Sequence, residues 1–247
     1  MALAKTRVKD RPRVDDESRA ELGSFLRELR HEENMGLYQS GDISRGVERV
    51  YTGVGESYNQ MHRVDFYREL DSLLARKQGV IRILDVGCGL GYFLKDMLDY
   101  AESRGAGGRV EVYGINLTKD YRAYDQTDGG KLKEFKPVLG GDVIRVAHAE
   151  RIPFGDGSFD MVVMTAGPYD KYGAKENVAF ATHGRIRMLN ELYRVTSPGG
   201  RIYVRAVCDY MGGLLDAALQ FFRINHGDVV INGGSPVNPP TQIQKPG

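Results

Sequence analysis

Ile83-Leu84-Asp85-Val86-Gly87-Cys88-Gly89-Leu90-Gly91 carries a β-branched and leucine run, begun at Val80, into a cluster of glycines. Helical spacing over residues 92–101 follows at once, so the order is strand, glycine turn, helix. Glycines let the backbone turn sharply and let a ligand approach without a Cβ in the way. The helix start adds free N–H groups and a partial positive charge, suited to a carboxylate or phosphate. Glycine spacing alone is a weak signal. The dinucleotide fingerprint has G-x-G-x-x-G and an acidic residue ending the second strand. Here the spacing is G-x-G-x-G, Asp85 precedes the glycines, and the second strand ends at Asn116. A dinucleotide reading is disfavoured.

The residues downstream repeat the alternation. Residues 110–115, 143–147, 159–165 and 201–207 read as four further strands. A helix over residues 185–195 carries Ile186, Leu189, Leu192 and Tyr193 on one face, and Ser197-Pro198-Gly199-Gly200 follows its end. Such alternation implies an α/β fold with a mainly parallel sheet and helices on both faces. Right-handed crossovers then bring the loops after the strands to one rim, where ligands bind. Further on, residues 214–224 read as a helix and residues 228–232 as a sixth strand, and residues 236–247, rich in Pro and Gly, as a tail. Upstream, residues 1–16 read as a flexible arm. Ser18-x-x-Glu21 is a capping box before Leu22, Phe25, Leu26 and Leu29, which places a helix over residues 18–31. Residues 36–60 form a Gly-, Ser- and Tyr-rich loop region, and Phe66, Leu70, Leu73 and Leu74 mark a second helix ending before Gly79. Residues 1–79 are thus expected to be an arm and helical segment, residues 80–235 the ligand-binding domain, and residues 236–247 a tail.

Composition sets limits. The chain has 247 residues, 41% of them hydrophobic, enough for a substantial core. Its 34 basic and 33 acidic residues leave a formal charge of +1, which calls for no polyanionic partner, so nucleic acid is not expected. Two cysteines argue against a disulfide framework and fit a reducing compartment. In this fold Cys88 and Cys208 would stand about 10 Å apart, one strand between theirs, beyond disulfide reach. The N-terminus has no apolar core of a signal peptide, and the apolar runs are too short for a membrane span. A cytoplasmic protein is expected, and the oligomeric state is left open, a homodimer included.

The same loop resembles motif I of class I S-adenosylmethionine-dependent methyltransferases. The resemblance continues in register through Ala149-Glu150-Arg151-Ile152-Pro153-Phe154 and Asp156-Gly157-Ser158-Phe159-Asp160, then Glu191-Leu192-Tyr193-Arg194-Val195 and Ser197-Pro198-Gly199-Gly200-Arg201. It covers about residues 80–207 and is specific for the family, not for a substrate. It implies a Rossmann-like fold and S-adenosylmethionine as cofactor; the N-terminal helices have no counterpart in the shared core and are read as a helical lid, against the plain alternative of a helical pad covering the sheet edge. It also implies that Asp85 holds the cofactor's amino group, directly or through water, while Gly87 and Gly89, with Cys88 between them, accommodate the methionine part. Asn116 stands where most members place an Asp or Glu on the ribose hydroxyls, followed by Leu117; an amide can still accept one hydroxyl hydrogen bond. The Gly114-Ile115-Asn116-Leu117 context is similar to that of members acting on lipids and other small molecules. His148-Ala149 occupies the adenine position, where an Asp before a small residue is common. The Ala149 backbone N–H would meet the ring, and a neutral His148 would accept from the adenine amino group or else point to solvent. Thr165, ending the fourth strand, would lie near the reacting methyl. Tyr51 or Tyr58 resembles the tyrosine with which lid segments touch the cofactor; Tyr58 is counted in the candidate cofactor set.

Methyl transfer is an in-line displacement that needs alignment above all and sometimes a base. Ala166-Gly167-Pro168-Tyr169 follows the fourth strand where members acting on nucleic-acid amino groups have Asn or Asp before Pro-Pro-Tyr or Phe. The aromatic is kept and the acceptor is absent, which argues against such targets. Tyr169 would pack on the acceptor or fill the loop. His183, in the same substrate-facing stretch, is the candidate general base, against the plain alternative of a solvated loop residue. His31, His62 and His226 have no supporting context, and no metal site is indicated. The expectation is methyl transfer to a small-molecule or natural-product acceptor. Alternatives are a peptide or protein methyltransferase and a non-catalytic cofactor-binding partner subunit.

Overall fold

The computed structural model describes Tyr58, residues 62–116, 122–125, 131–134, 136–140, 142–165 and 178–205, His226, and residues 230–232 and 241–247. Over 122–125, 131–134, 178–185 and 230–232 the backbone alone is described. Asp65 starts the helix α1 (Phe66–Arg76) by accepting from Arg68 N at 3.1 Å, and the chain turns extended at Lys77. There follow β1 (Ile81–Val86), α2 (Tyr92–Ser103), β2 (Val110–Asn116), the hairpin strands β3 (Arg122–Asp125) and β4 (Lys131–Glu134), β5 (Ile144–Val146) and β6 (Phe159–Thr165). The chain then forms α3 (Val178–Val195), β7 (Thr196–Arg205), β8 (Val230–Asn232) and β9 (Thr241–Gln244).

Seven strands form one sheet in the order β5-β2-β1-β6-β7-β9-β8. The pairs from β5 through β7 are parallel, and β9 runs antiparallel to both its neighbours. Chain order reverses between β1 and β6, which makes the ends of these two strands the switch point where open α/β sheets bind ligands. Every residue of β6 is buried, as a central strand covered on both faces requires. Side chains alternate between the faces. Ile81, Ile83, Met161, Val163 and Tyr203 meet Phe93, Leu94 and Met97 of α2 together with Phe66 and Leu70 of α1. Leu84, Val86, Val162, Met164, Ile202 and Val204 meet Met188, Leu189, Leu192 and Val195 of α3.

The mainly parallel sheet and the strands β1, β2, β5 and β6 agree with the sequence expectation, β7 starts at Thr196 and not at residue 201, and four further segments differ. Helix α1, expected within the lid segment, is a layer of the domain: Phe66 lies edge-on to Phe93 and Tyr203, with centroids 5.1 and 5.0 Å apart. Residues 241–244, expected as tail, are the strand β9. Ile243 is fully buried and registers against Ile202, so one apolar side chain and the free edge of β7 recruit the segment. The β3–β4 hairpin was not anticipated, because Arg-Ala-Tyr-Asp and Lys-Leu-Lys-Glu carry too few apolar residues to signal strands. Helix α3 begins at Val178, not near residue 185, so His183 sits in a helix and not in a loop. The expected arm, the helix over residues 18–31, the helix over residues 214–224, Leu117, Tyr51, Tyr169 and Cys208 lie outside the described residues. Among the described residues, no helix is long and apolar enough to cross a membrane.

Candidate functional site

The parallel register brings the ends of β1, β2, β5 and β6 to one rim: Asp85 pairs with Gly114 and Val163, and Asn116 with Val146. The turn after β1 depends on its glycines, since Gly87, Gly89 and Gly91 have φ of 80°, 53° and 84°, which disfavour any side chain. A Cβ on Gly89 would meet nothing within 4 Å, so the loop has open space beside it. Gly114 has the opposite reason for being glycine. A Cβ there would fall 2.5 Å from Cys88 Sγ, because the thiol fills that spot against β2.

Four of the loop's N–H donors are spent. Gly87 N and Cys88 N both donate to Ile115 O, at 2.8 and 3.3 Å, Gly89 N donates to Asn116 Oδ1 at 2.9 Å, and Gly91 N to Cys88 O at 2.9 Å. A phosphate cradle needs such N–H groups turned to the ligand. Those of Gly87, Cys88, Gly89 and Gly91 are turned to β2 and to the loop itself, which speaks against a dinucleotide pyrophosphate here.

Asp85 dominates the electrostatics. It is fully buried; Tyr58 donates its hydroxyl to Oδ2 at 3.1 Å, and Oδ1 is buried with no partner among the described residues. Burial pushes the carboxyl up to about 7, against the lowering effect of the Tyr58 hydrogen bond. Burial and then the Asp85 charge hold the Tyr58 phenol well above its ordinary value, so it stays a donor. Its ring stacks on Phe93 at 4.4 Å. Cys88 is likewise held as a thiol, by burial first and Asp85 second. A protonated thiol wedged against Gly114 packs the loop and is no nucleophile.

Thr165, at the end of β6, pairs its hydroxyl with His62 Nε2 at 2.6 Å. Sequence reasoning passed over His62, whose partner lies 103 residues away; the single local clue is its spacing of four from Tyr58. His62 is 1% exposed, and its Nδ1 has no partner among the described residues. Burial, and then the Arg205 charge, lower its pKa to about 3, so the ring is neutral at ordinary pH.

Two residues make hydrogen bonds that the resemblance did not suggest. Asn116 closes both hydrogen bonds on Gly89, the second from Nδ2 to Gly89 O at 2.8 Å. His148 Nδ1 accepts from Glu150 N at 3.3 Å. An imidazole whose Nδ1 accepts has Nε2 as its N–H donor. Ala149 beside it is buried, and Ala147 N donates to Asn116 O at 2.9 Å, tying this turn to the β2 end.

The remaining motif residues hold the fold. Arg194 donates to Glu191, Asp156, Phe154 O and Ile152 O, while Glu191 accepts from Ile152 N. Asp160 accepts from Lys77, Arg82 N and Ser197 at the opposite rim of the sheet. The structure therefore brings Tyr58, Asp85, Gly87, Cys88, Gly89, Asn116 and Thr165 together, adds His62, and places His148 and Ala149 on the adjoining turn.

The family model for the methyltransferase domain matches residues 84–204, the span that holds this rim and its supports. The matched residues thus carry a methyltransferase domain, in keeping with the resemblance of this loop and the motifs after it to class I S-adenosylmethionine-dependent methyltransferases. It is 27% identical over 161 residues to the malonyl-(acyl-carrier protein) O-methyltransferase of Erwinia billingiae, covering 64% of this chain and 52% of that protein. It is 28% identical over 164 residues to the demethylmenaquinone methyltransferase of Lactococcus lactis, covering 63% and 56%. It is 30% identical over 172 residues to the demethylmenaquinone methyltransferase of a Geobacillus species, covering 67% and 64%. The chain thus spans about half to two thirds of the length of these relatives.

The cofactor of this methyltransferase family fits the residues present. A buried carboxylate with one oxygen unpartnered among the described residues suits a ligand that brings N–H donors and positive charge, as the α-ammonium of S-adenosylmethionine does. The open space beside Gly89 suits a ligand lying against backbone. Among the described residues no group of three or more His, Cys, Asp and Glu side chains is placed to hold a metal ion.

Proposed function

We propose that this protein transfers the methyl group of S-adenosylmethionine to a small-molecule acceptor. The observation that carries the reading is Asp85: an acid whose burial is costly by itself, one residue before the end of the strand at the switch point, with Oδ1 left for a cationic partner. The match of residues 84–204 to a methyltransferase domain supports the chemistry. The acceptor class draws support from the relatives, named for quinone precursors and for malonyl groups on a carrier protein, and from the nearly balanced charge.

When bound, S-adenosylmethionine supplies a methyl group on a sulfonium, open to in-line displacement. Asp85 Oδ1 receives the α-ammonium while Tyr58 holds Oδ2, so the carboxylate cannot rotate away. Gly87 and Gly89 admit the methionine part, and Ala149 and His148 flank the adenine. Thr165 lies at the rim nearest the acceptor, and neutral His62 fixes the direction of its hydroxyl. With a pKa of about 3, His62 cannot retain a proton taken from an acceptor. Where an acceptor requires a base, the role falls to His183, now on α3, and contact with the acceptor to Tyr169.

The test is multiple turnover with methyl-labelled S-adenosylmethionine and a panel of quinols, phenols and carboxylic acids, alongside thermal-shift titration. Stabilisation by S-adenosylmethionine and by its demethylated product, with label transferred, is expected. Stabilisation by NAD and by neither of those ligands would contradict the reading.

A further inference from the structure

Asn116 is the member of the rim whose observed bonds least resemble its expected duty. Its side-chain amide meets the main-chain amide of Gly89 face to face: Oδ1 accepts from Gly89 N at 2.9 Å and Nδ2 donates to Gly89 O at 2.8 Å. Gly89 N can only donate and Gly89 O can only accept, so a neutral amide satisfies both and a carboxylate satisfies one. Gly89 stands at φ 53° with no Cβ neighbour to prop it, so its conformation is set by what it bonds to. Together with Ile115 O, which receives Gly87 N and Cys88 N, the end of β2 takes three successive loop N–H groups.

We propose that Asn116 is a positioning residue that locks the glycine loop in its cofactor-receiving shape, and not the ligand of the cofactor's sugar. The proposal rests on the cofactor reading above for its binding consequence, and on the loop alone for its structural one. An acid at this position, the common choice among class I members, would set a charged oxygen against the Gly89 carbonyl and lose the Nδ2 donor. Asn116 is therefore matched to this loop, and the substitution toward the family's usual residue should harm binding.

Calorimetric titration of S-adenosylhomocysteine into the full chain and its Asn116→Asp variant tests this. The variant should bind about tenfold more weakly at pH 8. The ratio of the two affinities should shrink as pH falls and the new carboxyl is protonated, because its O–H then replaces Nδ2 as donor. Taking the ratio removes any pH dependence the two proteins share. Amide hydrogen exchange at Cys88 and Gly89 in the ligand-free variant should be faster than in the parent. Equal or tighter binding by Asn116→Asp would overturn the proposal in favour of a sugar ligand, and unchanged exchange would overturn it outright. Should Asn116→Asp fail to fold, Asn116→Ala must show the same faster exchange and weaker binding, or the proposal fails. Absence of binding by the parent would instead defeat the cofactor reading, and the exchange comparison would still decide the clamp.

Discussion

Tyr58 and Asp85 share one hydrogen bond of 3.1 Å to Oδ2, and it serves only half of a fully buried carboxylate. The folded, ligand-free protein therefore holds an acid whose ionisation it disfavours. That tension has consequences for stability as well as binding.

Replacing Asp85 should stabilise the ligand-free fold at neutral pH. The folded carboxyl titrates near 7 and the unfolded one near its ordinary 3.8. Its contribution to stability is thus fully present below about 4 and is lost as pH rises through 7. Over that window the slope is about 1.4 kcal/mol per pH unit. Asp85→Asn removes the slope. Denaturant midpoints measured from pH 4 to 8 should show the variant gaining on the parent as pH rises, and a constant difference would refute the assignment.

His62 should produce the opposite slope. Its folded pKa is about 3 against 6.5 in the unfolded chain, so the unfolded state takes up a proton first as pH falls. The contribution is present above about 6.5 and is lost as pH drops toward 3. Between about pH 4 and 6.5 the Asp85 and His62 slopes oppose each other, and from these two groups the parent should be nearly level. His62→Gln, which can still reach Thr165, should leave stability falling as pH rises there, and Asp85→Asn should leave it rising. Like-signed slopes in the two variants would contradict this account.

Gly114 and Cys88 should couple. A Cβ at Gly114 would lie 2.5 Å from Cys88 Sγ and 3.1 Å from Leu94 Cδ1. Gly114→Ala should destabilise by about 1–3 kcal/mol through overpacking. Cys88→Ala removes the nearer atom, so the double variant should lose less than the sum of the two single losses. Strict additivity in chemical denaturation would show that the thiol does not occupy that space.

The parts of this site that could be read in the sequence are those made by neighbours along the chain. Met161–Met164 is a continuous apolar run, and the strand around it, Phe159–Thr165, was legible to the residue. Asp85 and the glycines were legible because strand, turn and helix follow one another. His62 was not, because its meaning comes from Thr165, 103 positions away. Nor was β9, whose Ile243 becomes core only once Ile202 stands opposite it. Asn116 was placed correctly and its partner missed: position is a property of the strand's end, whereas the bond to Gly89 depends on how two strand ends pack.

The central claim is that the ionised Asp85 carboxylate receives a cationic cofactor, and calorimetric titration of S-adenosylmethionine against pH tests it most directly. With the carboxyl near 7, affinity should fall toward tenfold per unit below 7, as protonation removes the acceptor charge. Tyr58→Phe should move the midpoint upward, because the lost hydrogen bond had held the carboxyl down. Asp85→Asn should bind weakly at every pH with no such dependence. Tight binding by Asp85→Asn, with the same pH profile as the parent, would contradict the account.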